Sequence, residues 1–285
     1  MSAKLNPVCS LLPPLLLLWA MTSRSQTAPA ATPALTTPQA QALVERALAT
    51  EVRAAGDTSH PMRYRLRKAS PRLTSTKEIV ETRDGDVARL LSFFDKPLNQ
   101  DDEQKEEARL DALLSDPARQ GHRRQSEERD TAIVMKLLRM LPQAFLYEYA
   151  GASGNVEKFT FKPKPGFSPP DLETQALTNM SGELWIDATG ERVTRLEGHL
   201  QQDTDYGWGI LGRLDKGGWI VIDQAGVGAG AWRIVRFQMK MNLRVLFKTR
   251  SFDTVEEMTE YAPVSAGLDY RQAIQMLRGD AQNSR

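Results

Sequence analysis

Cysteine is almost absent from this chain: of 285 residues only Cys9 carries a thiol, and it lies ahead of the N-terminal apolar run. The residues after that run therefore have no disulfide, no thiolate nucleophile and no cysteine metal ligand. Histidine is nearly as scarce. His60, His122 and His199 are far apart, and none sits in a metal-binding HExxH spacing. Neither GxSxG nor SxxK occurs, so the common serine-nucleophile signatures are missing. No apolar stretch reaches the roughly 20 residues needed to cross a bilayer as a helix. No charge sign dominates either, with 37 basic against 36 acidic side chains. That balance lacks the basic footprint of a nucleic-acid binder.

The N-terminus carries Lys4, then an apolar segment at 11–21 (LLPPLLLLWAM), then small residues. This is the pattern of a secretory signal peptide, placed at 1–25. Its apolar part is short and interrupted by Pro13 and Pro14. Residues 26–37 (QTAPAATPALTT) read as a flexible spacer. The expected mature chain is periplasmic or secreted, monomeric and without a transmembrane segment.

From Thr37, apolar residues recur at helical spacing: Ala40, Leu43, Val44, Ala47, Leu48 and Val52. Thr37 is the expected cap, Pro38 stands in the first turn, and Gly56-Asp57 stops the helix. Strand patterns follow at 62–70 and 75–85. The second ends in Asp84-Gly85, a hairpin signal whose returning strand is VARLLSFFD. Residues 99–130 are highly charged and read as inserted surface helices, one near 102–115 and one restarting at Asp116-Pro117. A separate apolar helix is expected from Thr131 to Met140, stopped by Pro142. Strands resume at AFLYEYAG and NVEKFTFKPKPG. A meander then runs from Ser181 to Ser251, and a short helix (YRQAIQML) lies in the tail at 269–285. The glycines of GWGILGRL and GVGAGAW precede strands, not helices, so they mark bends in a sheet and not a phosphate loop. The pattern predicts an α+β domain at 38–268: a strongly curved antiparallel sheet, a half-barrel, with helices packed against one face and the charged insert at 99–130.

Candidates for chemistry are few. Asp203 and Asp205 flank Thr204; two carboxylates at that spacing suit either a plain turn or part of a calcium site. They are also the carboxylates on which a hydrolase reading would rest. Asp101, Asp102 and Glu103 open a helix, where negative charge is favourable. The aromatic residues are the more suggestive set. Trp185, Trp208, Trp219 and Trp232 all fall in the meander, and Phe145 and Phe237 join them as candidate lining of an apolar pocket. In Trp219–Gln224 both alternating faces are apolar, so each side of that strand calls for a covering group.

The strand RYRL at 63–66 and the segment GELWIDATGERVTRLEGHL at 182–200, with its Asp187-Ala188-Thr189-Gly190 turn, resemble the periplasmic lipoprotein carriers. That is the LolA/LolB-like half-barrel superfamily, which includes RseB-type sensor domains. The resemblance covers roughly 40–262. It implies a concave apolar sheet face, closed by helices, that binds acyl chains or a lipidated partner. The expected function is an exported, non-enzymatic cell-envelope protein that binds a lipid or a lipoprotein, with no cofactor, metal or nucleic acid. The alternatives are a structural or protein-interaction module with a filled interior, and a hydrolase.

Overall fold

The computed structural model describes residues 35–206, 212–228, 230–245 and 248–283. The expected signal peptide, most of the spacer and Trp208 lie outside these residues. Helix α1 (Thr37–Ala55) starts at the expected cap itself: Thr36, one residue earlier, is the cap, and its amide donates to Gln39 Oε1 at 2.9 Å. Pro38 fits the first turn, where no intrahelical donor is needed, and Gly56 closes the last. Strands β1 (Met62–Ala69), β2 (Thr74–Val80), β3 (Val87–Phe93) and the short β4 (Lys96–Pro97) follow. Asp84-Gly85 makes the β2–β3 turn, with Gly85 at φ 95°.

The charged insert forms two helices, α2 (Gln100–Ser115) and α3 (Pro117–Ala144). The expected break near residue 130 is absent. Asp116 caps α3, accepting from the Arg119 amide at 3.2 Å, and the helix runs through Pro142 to Ala144. After it come β5 (Phe145–Ser153), β6 (Val156–Pro163), the single turn α4 (Leu172–Gln175), β7 (Met180–Asp187) and β8 (Arg192–Leu200). The chain then makes β9 (Thr204–Tyr206), β10 (Gly212–Leu214), β11 (Trp219–Gly226), β12 (Trp232–Val245), β13 (Lys248–Pro263) and α5 (Tyr270–Asn283).

All the pairings are antiparallel, and thirteen strands make one sheet, eleven of them in the order β4-β3-β2-β1-β13-β12-β11-β8-β7-β6-β5, not closed into a barrel. The meander is not strictly sequential. β8 pairs directly with β11, while β9 and β10 form a side hairpin on the far end of β12. β13 runs twelve residues past Ser251 and pairs with β1, joining the N-terminal and C-terminal strands.

The insert α2–α3 connects β4 to β5, the two outer edges of the sheet. The start of α3 sits on the β2–β3 turn, where Gln120 Nε2 donates to the Asp84 carbonyl at 2.9 Å. Its end runs into β5. On a flat sheet, eight strand spacings would separate β2 from β5, about 38 Å. The turn and the start of β5 also lie at opposite strand ends, about 27 Å apart along the strands, which makes the diagonal about 47 Å. From Gln120 to Ala144 the helix spans only about 36 Å. The sheet must therefore bend toward the helix, which makes that face concave.

Two cores stabilise the fold. On the concave face, Phe145, Tyr147, Phe159, Phe161, Leu184, Ile186 and Val193 of β5–β8 pack under α1 and the apolar end of α3, through Leu43, Val44, Leu48, Leu137 and Leu141. Helices lie over this face as expected, but they are not confined to it. A second core lies on the reverse face at the other end of the sheet. There Val80 and Val87 pack against Leu110 and Leu113 of α2 and Ile274 and Leu277 of α5. Gly182 and Gly198 are opposite one another in β7 and β8. A Cβ at Gly182 would stand 1.8 Å from the Glu197 carbonyl, so only glycine fits there.

Glu51 clamps α1 to the sheet. It is 6% exposed and accepts from Arg192 Nε (2.8 Å), Arg192 Nη2 (3.0 Å) and the Val193 amide (2.9 Å). Removing one member of a buried, hydrogen-bonded ion pair leaves the other charge uncompensated. Glu51→Ala is therefore expected to lower unfolding free energy by about 3–5 kcal/mol, read from urea denaturation. A loss under about 1 kcal/mol would show that the clamp contributes little.

Candidate functional site

Strand register assigns every side chain of the sheet to a face. One concave-face row runs Phe159, Leu184, Leu196, Ile222, Phe237 across β6, β7, β8, β11 and β12. The next runs Phe161, Gly182, Gly198, Ile220, Met239. Leu66 and Met258 oppose each other further along the same face. Phe159, Phe161 and Leu184 are buried under α1 and α3. Ile220, Ile222, Phe237, Met239, Met258 and Leu66 are only half-buried and belong to neither core. The concave face thus has two parts: a packed third at β5–β8, and an apolar continuation over β11 and β12 that no core covers. On β13 and β1 the same rows pass to Thr254, Glu256 and Lys68, with Met258 and Leu66 as the apolar pair beside that ion pair.

The packed part is full. A cavity of about 40 Å³ remains, lined by Leu141, Phe145, Tyr147, Phe161, Met180, Leu184 and Leu196. A ligand pocket occupies roughly 300–1,000 Å³, so this void takes no acyl chain. A wider, open groove of about 560 Å³ lies at the rim, between Met140 and Gln143 of α3 and the loop 164–170.

The six expected pocket residues do not converge. Phe145 is 2% exposed, within the packed core. Phe237 lies on the uncovered part of the concave face. Trp185 points to the convex face, between Lys158 Nζ (4.9 Å from the ring centre) and the Arg195 guanidinium (5.6 Å). Trp219 shares that convex face and stands in register with His199 and Lys240. Trp232 opens β12 with the Arg192 guanidinium over its ring at 5.5 Å. Trp208 is outside the described residues. Trp185 thus serves as a platform for cations on the convex face, while Trp232 stacks on the Arg192 guanidinium that Glu51 of α1 holds. The aliphatic row of β11–β12 was legible as alternation in Trp219–Gln224. Leu66 was legible too, with Met62 and Tyr64 on the apolar face of an alternating strand, whereas Met258 was not singled out, because charged neighbours surround it in sequence.

The convex face carries charge. Arg195 pairs with Asp223 (2.5 Å) and with Glu197, and Arg67 pairs with Asp95 (2.8 Å) and Glu257 (3.4 Å). Opposite charges on adjacent strands satisfy one another, which is the arrangement of a solvated sheet surface.

Reactive chemistry finds little support in the geometry. Ser59, His60 and Asp57 touch in one turn: Ser59 Oγ lies 2.8 Å and Asp57 Oδ2 3.2 Å from His60 Nδ1. A serine triad needs the hydroxyl and the carboxylate on opposite ring nitrogens, so that one takes the proton while the other fixes the tautomer. Here both meet Nδ1, in an exposed turn. Hydrogen bonds from the Ser59 hydroxyl and amide, with one from His60, hold the Asp57 carboxyl down at about 2. Asp205 is paired with Arg213 Nε at 2.5 Å, and Asp203 accepts from the Lys216 amide at 2.8 Å. These two carboxylates organise a turn. Among the described residues no group of three or more His, Cys, Asp or Glu is placed to hold a metal ion. No described helix is long and apolar enough to cross a membrane.

A fluorophosphonate probe is accordingly expected to leave Ser59 unlabelled under conditions that label a control serine hydrolase. Peptide mass spectrometry showing modified Ser59 would overturn this reading of the turn. Comparison with family models, with curated proteins and with solved structures found no match for this chain.

Proposed function

We propose that this chain is a non-catalytic binding protein of the cell envelope, and that it lays a flexible apolar chain, such as the acyl chain of a lipid or of a lipidated partner, along the uncovered part of its concave sheet face. The observation that carries this reading is the half-buried row Ile220, Ile222, Phe237, Met239, with Met258 and Leu66 beyond it. Single exposed apolar residues mean little, but a contiguous apolar patch continuous with a core marks a contact surface. Methionine at two of the six positions suits a shape-tolerant contact with a mobile chain. Each methylene removed from water there is worth about 0.8 kcal/mol. The apolar N-terminal run with its preceding Lys4, and the likeness of the β7–β8 hairpin to the lipoprotein carriers, support an exported location and this class of ligand.

The packed interior under α1 and α3 favours the second reading, a protein-interaction module without a lipid. One titration separates them. A fluorescent fatty acid (dansylaminoundecanoate) is expected to bind the purified protein, and Phe237→Glu is expected to weaken binding at least about tenfold, since it sets a charge against the chain. Unfolding curves should show that the variant stays folded. No binding by the folded wild-type protein, or unchanged affinity in Phe237→Glu, would favour the interaction module.

A further inference from the structure

The first half of α3 holds on to the sheet without apolar contacts. Residues 117–130 contain only Pro117 and Ala118 as apolar side chains. What fixes this half is a stripe of polar groups at helical spacing, Gln120, Arg123, Arg124 and Glu127, laid on the β2–β3 turn. Gln120 Nε2 donates to the carbonyls of Asp84 (2.9 Å) and Gly85 (3.2 Å). Arg123 Nη2 donates to the Asp86 carbonyl at 2.9 Å, and Glu127 Oε2 accepts from the Asp86 amide at 3.0 Å. The helix and turn touch so closely at Gly85 that a Cβ there would lie 2.8 Å from Glu127 Oε2 and 3.1 Å from Arg124 Cα.

This contact sets half-buried acids near one another. The Asp86 carboxyl lies within electrostatic reach of Glu127 and Arg123 of α3, of Glu81 just past β2, and of Tyr64 of β1. Tyr64 stacks on Tyr261 of β13, with ring centres 4.9 Å apart. Two cations border the cluster: Arg123, whose guanidinium also donates to the Asp86 carbonyl, lies 3.9 Å from Glu127, and Arg233 of β12 lies 4.0 Å from Glu81, which also accepts from the Met62 amide at 2.8 Å. In the turn itself Arg83 is 3.9 Å from Asp84 and 3.8 Å from Asp269.

We propose that residues 117–130 and the β2–β3 turn form a pH-operated latch, closed while Asp86, Glu127 and Glu81 share at least one proton and loosened once all three carboxylates are ionised. Burial, then the charges of Glu127 and Glu81, push the Asp86 carboxyl up to about 7, and burial raises Glu81 and Glu127 as well. A carboxyl held above its ordinary value binds its proton more tightly when docked than when free. Docking is thus strongest near pH 4, weakens as pH rises toward about 7, and changes little above that. The apolar second half of α3 has no such group, so the opening is confined to the first half. The latch does not depend on what the concave face binds.

Amide hydrogen exchange of the full chain tests it, comparing about pH 5.5 with about pH 8 after scaling for the intrinsic exchange rate. Opening of 117–130 should be favoured by up to about 30-fold at the higher pH, from the Asp86 shift alone, while 131–144 should hardly change. Asp86→Asn and, separately, Glu127→Gln should flatten that dependence, because each removes one ionisable group and leaves the backbone hydrogen bonds possible. Equal protection of 117–130 at both pH values in the wild-type chain would overturn the latch. So would a dependence that survives in both variants. Should Asp86→Asn fail to fold, the wild-type comparison and Glu127→Gln decide alone.

Discussion

The connection from β4 to β5 is the constraint on which the architecture turns. It joins the two outermost strands of an open sheet, and it does so with a helix shorter than the flat diagonal it must cover. Since α3 is too short for a flat sheet, the strands curl beneath it. The bulges at Thr194 of β8, opposite Trp185–Ile186, at Val235 of β12, opposite Asp223–Gln224, and where Arg63–Arg65 of β1 meets β13 supply local bends of the kind such curvature requires. At Gly182 the adjacent backbone approaches too closely for any Cβ, while one at Gly198 would meet the Met180 thioether.

Curvature divides the labour of the two faces. The concave side gathers aliphatic and aromatic residues, and α1 with the end of α3 covers only part of them. The convex side is covered by α2 and α5 at β2–β3, and elsewhere it is a lattice of crossed charges. β12 and β13 therefore have neither face sealed: one presents Phe237 and Met239, the other Arg236 and Glu257. The proposed binding surface is a consequence of that incomplete cover. A helix long enough to lie over β11–β13 as well would have closed it.

Much of this organisation was legible in the sequence. Helical spacing in Ala40–Val52, the Asp84-Gly85 turn, and the Asp187–Gly190 turn with its Gly190 amide on Asp187 Oδ1 at 2.8 Å are all local signals, and each appears where expected. The less legible features depend on partners far away in the chain. The second half of β13 (DTVEEMTEYAP) looks too acidic for a strand until β1 supplies Lys68 to Glu256 at 2.6 Å and Arg65 to Glu260 at 2.7 Å. The expected break near residue 130, inside α3, misled because charge falls away after Asp130, yet a change in surroundings along a helix does not break it. The aromatic set suggested one pocket, because composition cannot show facing. The alternation of Leu184-Trp185-Ile186 sends the indole to the side opposite its neighbours.

Methyl-resolved NMR with a doxyl-labelled stearate would locate an apolar chain on this sheet most directly. The account predicts selective broadening of the Ile220, Ile222, Met239 and Met258 methyl signals, with Leu184 and Leu48 in the packed core much less affected. Broadening centred instead on Met140, beside the rim groove, or none at all, would contradict it.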